Sequence, residues 1–486
     1  MLTAIVKREC LDHLLSLRFS FALVLFVGLM VLNALGFAGG TYSYKRDRYL
    51  EQIQAQQETQ RTDADRLWQL AVRGPGDFYK KPSKLMFCAA EYDHALPDRI
   101  GAYNEVKGKY KIDFYGCWVL SFLVSHSFQD SMKRTAQQLL STQVIDWVFI
   151  LGTVLSLVAL LFTFDAIVGE KERGTLKLVM AQSLPRHTLL LGKFLGALLT
   201  LTLVMALGVI VNLLLVLSLA EADLGSGEAV RLAGMVGLTL LYLSFFASLG
   251  MFVSVRSSST RASLVSVLLL WACMTLIWPQ TGGVLAARLL QNKSQSTTPV
   301  TYKKDKMVMG SPTTLRMHML AAELTRRDLK DPAKVQPFAE AIRIDRRAVQ
   351  QIEDGILAKQ LGQAEFARHL VRLSPMGCFQ YSMEALAGTG LARHKSFIEQ
   401  VRTYAQLYDQ TIIALDREDP ESMHLFPVPQ AMSKRKVPIE SLPIFSEDLS
   451  ATILVGQARV DVIGLFFFAI FSYMLAYWGW LRSSIT

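Results

Sequence analysis

Apolar residues along this chain of 486 residues collect into six blocks, at 19–38, 144–164, 189–220, 232–255, 263–279 and 462–481. Each approaches or exceeds the run of about 20 apolar residues that a helix needs to cross hydrocarbon. The pattern predicts an all-α polytopic membrane protein with six transmembrane helices. The first block follows Lys7, Arg8 and Arg18, a charge layout shared with signal peptides. Its apolar run exceeds the roughly 7–15 residues of a signal core and ends in Gly39-Gly40 rather than a small-x-small cleavage site. It reads as an uncleaved span. Before it, Ile5, Val6, Leu11, Leu14 and Leu15 interleave with Lys7, Arg8 and Asp12. Residues 1–18 thus suit an amphipathic helix in the cytoplasmic interface or a plain extension of the span.

Lysine and arginine in short loops set orientation. Lys171, Arg173, Lys177, Arg186 and Lys193 surround the connection between blocks two and three, Arg256 and Arg261 that between four and five, and Arg482 follows the last. The loop between blocks three and four carries Glu221, Asp223 and Glu228 against Arg231. Both termini are therefore expected in the cytoplasm, as in a multi-pass protein of a bacterial inner membrane. Two long insertions, 41–143 and 281–461, then form a large, mainly helical extracytoplasmic domain.

Within the insertions, 42–71 lacks Pro and Gly and reads as a helix. So does 315–373, interrupted near Asp331-Pro332, where Pro suits a first helical turn. Pro75, Pro82 and Pro97 make 74–115 irregular, and five prolines do the same for 419–447. Cys88 and Cys117 are the nearest pair of external cysteines. They would bond in an oxidising exterior, against the alternative of free buried thiols. No H-E-x-x-H occurs, and Glu91-x-x-His94 is isolated, so metal ligation is not expected. Much of the net charge of +10 belongs to the insertions and the cytoplasmic rim, which disfavours a nucleic-acid partner. Only 19% of residues are charged against about 25% in soluble domains, and 26 Phe with 7 Trp exclude disorder.

The connection at 165–188 carries the most information. Glu170, Lys171, Glu172 and Arg173 form a charged knot beside Gly174 and Thr175, and Ile167, Leu176, Val179 and Met180 form an apolar set at helical spacing. This suits a short helix across the membrane surface, apolar side inward, with charges offered to a partner. Gly174 permits a bend or close approach. A generic solvated loop has the same composition. The run G-E-K-E-R-G-T-L-K-L, followed by S-L-P-R and L-L-G-K-F-L-G, resembles the hallmark of ATP-binding-cassette (ABC) permeases of the type-2 exporter class. Leu373-Ser-Pro375, Glu384-Ala-Leu-Ala-Gly388-Thr389, Arg393-His394 and Phe397 resemble a subfamily with a large external domain.

The resemblance implies a coupling site at Glu170, Lys171, Glu172, Arg173, Gly174, Thr175 and Leu176, docked on a separate ATPase. It also implies a second permease, identical or paralogous. No G-x-x-x-x-G-K-[ST] phosphate loop occurs, so ATP is expected on the ATPase partner and no cofactor on this chain. Span interiors are nearly free of ionisable residues, with Asn33 and Asn212 the main polar intruders, unlike ion-coupled transporters. Two further readings remain open: an ATPase-driven mechanical module acting on an extracytoplasmic partner protein, and a membrane-anchored enzyme. The latter lacks a G-x-S-x-G elbow or a Cys–His signature.

Overall fold

The structure is a computed structural model describing residues 2–63, 66–90, 96–103, 118–121, 145–181, 185–219, 224–282, 316–317, 319–320, 324, 328–437, 441–449 and 451–483. A first helix, α1 (Leu2–Leu14), ends where Ser16 caps α2 (Leu17–Gly36) by accepting from Phe19 N–H at 3.2 Å. After a π-helical turn at Phe37–Thr41 come α3 (Tyr42–Asp63) and α4 (Leu67–Arg73). Strands β1 (Phe78–Tyr79), β2 (Arg99–Tyr103) and β3 (Val119–Ser121) form an antiparallel sheet in the order β1-β2-β3. The second span runs through a π-helix at Val148–Leu155 into α5 (Ser156–Thr163). Two short helices follow, α6 (Val168–Glu172) and α7 (Thr175–Ala181), then the long spans α8 (Arg186–Leu219) and α9 (Ser226–Arg256). The fifth span is α10 (Thr260–Ala272) with a π-helix at Cys273–Ile277. Beyond lie α11 (Pro332–Val371), α12 (Pro375–Ala387), α13 (Gly390–Arg417) and the last span, α14 (Ala451–Arg482).

Six of these helical stretches are long and apolar enough to cross a membrane, and they pack around one core that includes Phe26, Met30, Leu155, Leu201, Tyr242 and Phe246. The two asparagines satisfy each other inside it. Asn212 donates to Met30 O at 2.7 Å and to Asn33 Oδ1 at 2.8 Å, accepts from Trp147 Nε1 at 3.1 Å, and leaves Asn33 to donate to Ile145 O at 2.7 Å. Buried amides satisfied in this way cross-link the spans they join. The π-helical segments of the first, second and fifth spans lie at the bundle end away from α6 and α7. One carbonyl there, Gly152 O, accepts from Tyr242 Oη at 2.8 Å and from Ser156 Oγ at 2.6 Å.

At that end α12 is wedged into the bundle, buried along its whole length. Ser374 caps it with Pro375 in its first turn, as Asp331 and Pro332 do for α11. The corner between α12 and α13 turns through left-handed Gly388 and Gly390. Arg393, fully buried, donates to Gly388 O at 2.8 Å, to Glu447 at 3.0 and 3.1 Å, and to Lys81 O. The motif Glu384–Phe397 is therefore the hub that gathers two irregular segments onto the helical domain.

Three boundaries differ from expectation. The helix expected over 42–71 is broken at Arg66, which is extended (φ −138°, ψ 145°), so that Leu67, Leu70 and Ala71 turn onto the core around Tyr408. The stretch expected to be irregular, 74–115, carries two strands of the small sheet, β1 and β2, whose Phe78 and Ile100 are buried in the same core as Trp118 beside β3. The helix that carries the last span starts at Ala451 rather than 462 and takes in Asp461, which is fully buried with Oδ1 2.6 Å from Arg372 Nε. Cys88 is a buried free thiol, and its expected partner Cys117 lies outside the described residues.

Candidate functional site

The connection expected to be one surface helix is an elbow of two. Its hinge is Gly174 at φ +73°, a conformation that residues with a side chain enter only at a cost. A methyl group there would meet no atom within 4 Å, so the backbone angle and not crowding calls for glycine. Beneath the elbow, Ile167 and Leu176 pack against Leu189, Leu190, Met251, Val255 and Trp480, with Val179 and Met180 at the margin. This is the apolar set that helical spacing picked out.

Polar ties fasten the elbow to its surroundings. The N–H groups of Ile167 and Val168 both donate to Ser254 Oγ on α9, at 3.0 and 3.1 Å. Glu170 accepts from Lys193 Nζ on α8 at 2.7 Å, and the same ammonium reaches Glu9 of α1 at 2.7 Å. Charge-assisted hydrogen bonds of this kind are the stronger class. The Lys193 side chain is only 3% exposed. Glu172 accepts from Thr260 N–H at 2.9 Å and from the Thr260 hydroxyl, so its carboxylate sits on the first turn of α10. A negative charge is favourable there. Arg18 pairs with Asp165 at 2.8 Å, and Trp480 Nε1 donates to Arg186 O at 2.9 Å. The elbow is thereby bound to α1 and to the first, third, fourth, fifth and sixth spans.

Glycine spacing on α8 brings α1 into this network. A methyl at Gly192 would lie 2.6 Å from Ile5 Cγ2, and one at Gly196 would lie 2.7 Å from Glu9 Cβ. The two small residues one turn apart let α1 lie directly on α8 and deliver Glu9 to Lys193.

Of the seven residues expected to form the site, the structure turns Lys171, Arg173, Gly174 and Thr175 outward, without a tie to another span among the described residues. Glu172 is exposed yet committed to Thr260, Glu170 faces Lys193, and Leu176 is buried beneath. Gln182, Ser183 and Leu184 lie outside the described residues. Leu178, not singled out from sequence, is 71% exposed beside Lys177 on the outward face of α7. Its register gave a signal, since it falls off the stripe set by Leu176, Val179 and Met180. The outward face is thus a basic rim around an apolar knob, carried on a bent, firmly anchored elbow.

A family model described as ABC-2 family transporter protein matches residues 3–409. The chain is 38% identical over 128 residues to the probable ABC transporter permease protein NosY of Pseudomonas aeruginosa, covering 26% of this chain and 46% of that one. It is 49% identical over 55 residues to the protein of the same description from Stutzerimonas stutzeri, covering 11% and 20%. The matched stretches span less than half the length of these relatives.

Proposed function

This chain belongs to the ABC-2 family of transporter proteins, membrane permeases that work with an ABC ATPase, and on that footing we propose that it is the permease of an exporter whose ATPase docks on the elbow at 165–188. The observation that carries the proposal is the elbow's anchoring. A push on Lys171, Arg173 or Leu178 reaches α1 and five of the six spans through Lys193, Ser254, Thr260, Trp480 and Arg18. ATP binding by the partner would close the ATPase dimer and tilt the spans between two packings. ATP is then bound by the partner and this chain is a non-catalytic subunit.

In this reading the elbow and both termini face the cytoplasm of a bacterial cell, the helical domain faces outward, and a second permease completes the assembly. The fully buried α12 wedge favours one further reading: motion could be delivered to the outer domain itself, as work on an extracytoplasmic partner.

The test is co-purification with the ATPase, plus its hydrolysis rate in nanodiscs, for Arg173→Glu and Leu178→Asp. Neither residue is tied to another span among the described residues, so the permease should insert and melt normally while association drops at least tenfold. Normal association in both variants would overturn the docking site.

A further inference from the structure

We propose that the cleft between α11 and α13 is a binding site for an acidic peptide segment of a partner polypeptide. This goes beyond the ATPase-driven reading and does not depend on it. The cleft measures about 810 Å³. Its walls are two antiparallel helices joined by two ion-pair rungs, Arg346 to Asp409 at 2.6 Å and Arg402 to Asp354 at 2.8 Å. Spacing of seven or eight residues between rungs puts them roughly 12 Å apart along each helix, the length of a few extended residues. Trp118 and Leu120 of β3 line it as well, and Arg346 lies over the Trp118 ring at 4.4 Å.

The lining carries five arginines against three aspartates. The rungs consume two of each, and Asp416 is engaged by Ser422 Oγ at 2.8 Å and Ser433 N–H at 2.7 Å. Arg347 and Arg417 have no ion pair among the described residues, and Arg343 is bound only through Nε, to Phe426 O at 2.8 Å. Planar guanidinium groups left in this way suit carboxylates, which they grip with two parallel hydrogen bonds. One acceptor is also unfilled: Asp409 Oδ1 is buried without a hydrogen-bond partner. A buried acceptor of this kind is open to an N–H donor on whatever occupies the cleft.

The occupant must therefore bring carboxylates, an N–H donor, and apolar side chains for Leu120, Ile413 and Phe426. An acidic polypeptide with its own backbone amides supplies all three. A lipid headgroup offers phosphate rather than carboxylates and no such apolar side chains, and the cleft lies well along α11 from the bundle. Trp278 Nε1 of the fifth span binds Leu370 O, so the Val371 end of α11 meets the bundle, and Arg346 lies roughly 37 Å further along the helix.

The test uses the full chain in nanodiscs and fluorescence anisotropy with three probes: a fluorescein-labelled decapeptide of alternating Glu and Leu, its Gln-Leu counterpart, and labelled short-chain polyphosphate. The Glu-Leu peptide should bind, weaken with salt, and exceed the Gln-Leu peptide by at least tenfold. Arg347→Gln and Arg417→Gln, both at exposed positions, should each weaken it several-fold and together at least tenfold, with unchanged melting temperature. Equal binding of Gln-Leu and Glu-Leu peptides, binding indifferent to the double substitution, or binding of polyphosphate alone would each overturn the proposal.

Discussion

Lys193 Nζ lies 2.7 Å from Glu170 Oε1, joining the elbow to the third span inside a pocket that Glu9 completes from the N-terminal helix. One ammonium thus holds two carboxylates from elements far apart in sequence. Breaking a buried pair on one side leaves an uncompensated charge, at a cost of about 3–5 kcal/mol.

Lys193→Met should therefore destabilise the permease strongly, and adding Glu9→Gln and Glu170→Gln should restore most of the loss. Thermal melting in detergent across this set checks it. A triple variant no better than Lys193→Met would mean that packing of the lysine stem, rather than charge, is what matters.

The hinge makes a different demand. At φ +73°, Gly174→Ala strains the backbone by about 1–2 kcal/mol with no steric clash, while Gly174→Asn, which tolerates the left-handed region better, should be milder. The readout is ATPase stimulation with membrane level as control. The expected order is Gly, then Asn, then Ala. Equal rates would show that the bend is not needed for coupling.

Glu172 separates anchoring from docking. Glu172→Lys places a cation against the N–H of Thr260 at the start of the fifth span, whereas Arg173→Glu alters only the outward face. Hydrogen exchange at 258–266 should rise in the first variant and stay unchanged in the second. If neither variant changes exchange there, Glu172 is a solvated charge and its tie to Thr260 is dispensable.

The six spans were legible because bilayer thickness imposes a length that no side-chain detail can hide. Asp331-Pro332 was legible as a helix start for a similarly local reason, whereas Ser374-Pro375, which caps α12 in the same way, drew notice only by resemblance. What escaped was non-local. Lys193 counted as one more loop cation, since nothing in a single sequence pairs it with Glu9, 184 residues away. Strands of two to five residues carry too few alternations to register as a period. The corner motif at Glu384–Phe397 drew notice by resemblance alone. Its physical reason, Arg393 gripping Glu447 and the Lys81 carbonyl, needs segments more than 300 residues apart.

Orientation has its own test. Single cysteines at Glu340 and Ser258, both exposed, replace the five native thiols as targets for an impermeant reagent in intact cells. Glu340→Cys should label and Ser258→Cys should not. The neighbouring Ala339 is fully buried and would be a poor reporter. Labelling at Ser258 alone would invert the protein and remove the elbow from the ATPase side.

The last relationship concerns how the helical domain is fastened to the sixth span. Asp461 is fully buried in α14, with Arg372 at 2.6 and 3.0 Å and Arg368 at 3.4 Å. Arg368 also stacks on Tyr381 of α12 at 4.4 Å, so one carboxylate ties α11, α12 and the span together. Asp461→Asn keeps the shape but removes the charge that two guanidinium groups share. It should cost about 3–5 kcal/mol of local stability, by the same reasoning as for Lys193. Because the elbow lies at the opposite end of the bundle, the loss should be spatially confined. Hydrogen exchange should rise over 365–382 and 455–465 and stay level over 168–181, and ATPase association should persist. Uniform loosening of the chain would instead show that Asp461 supports the whole bundle, and unchanged exchange would show that packing alone holds this junction.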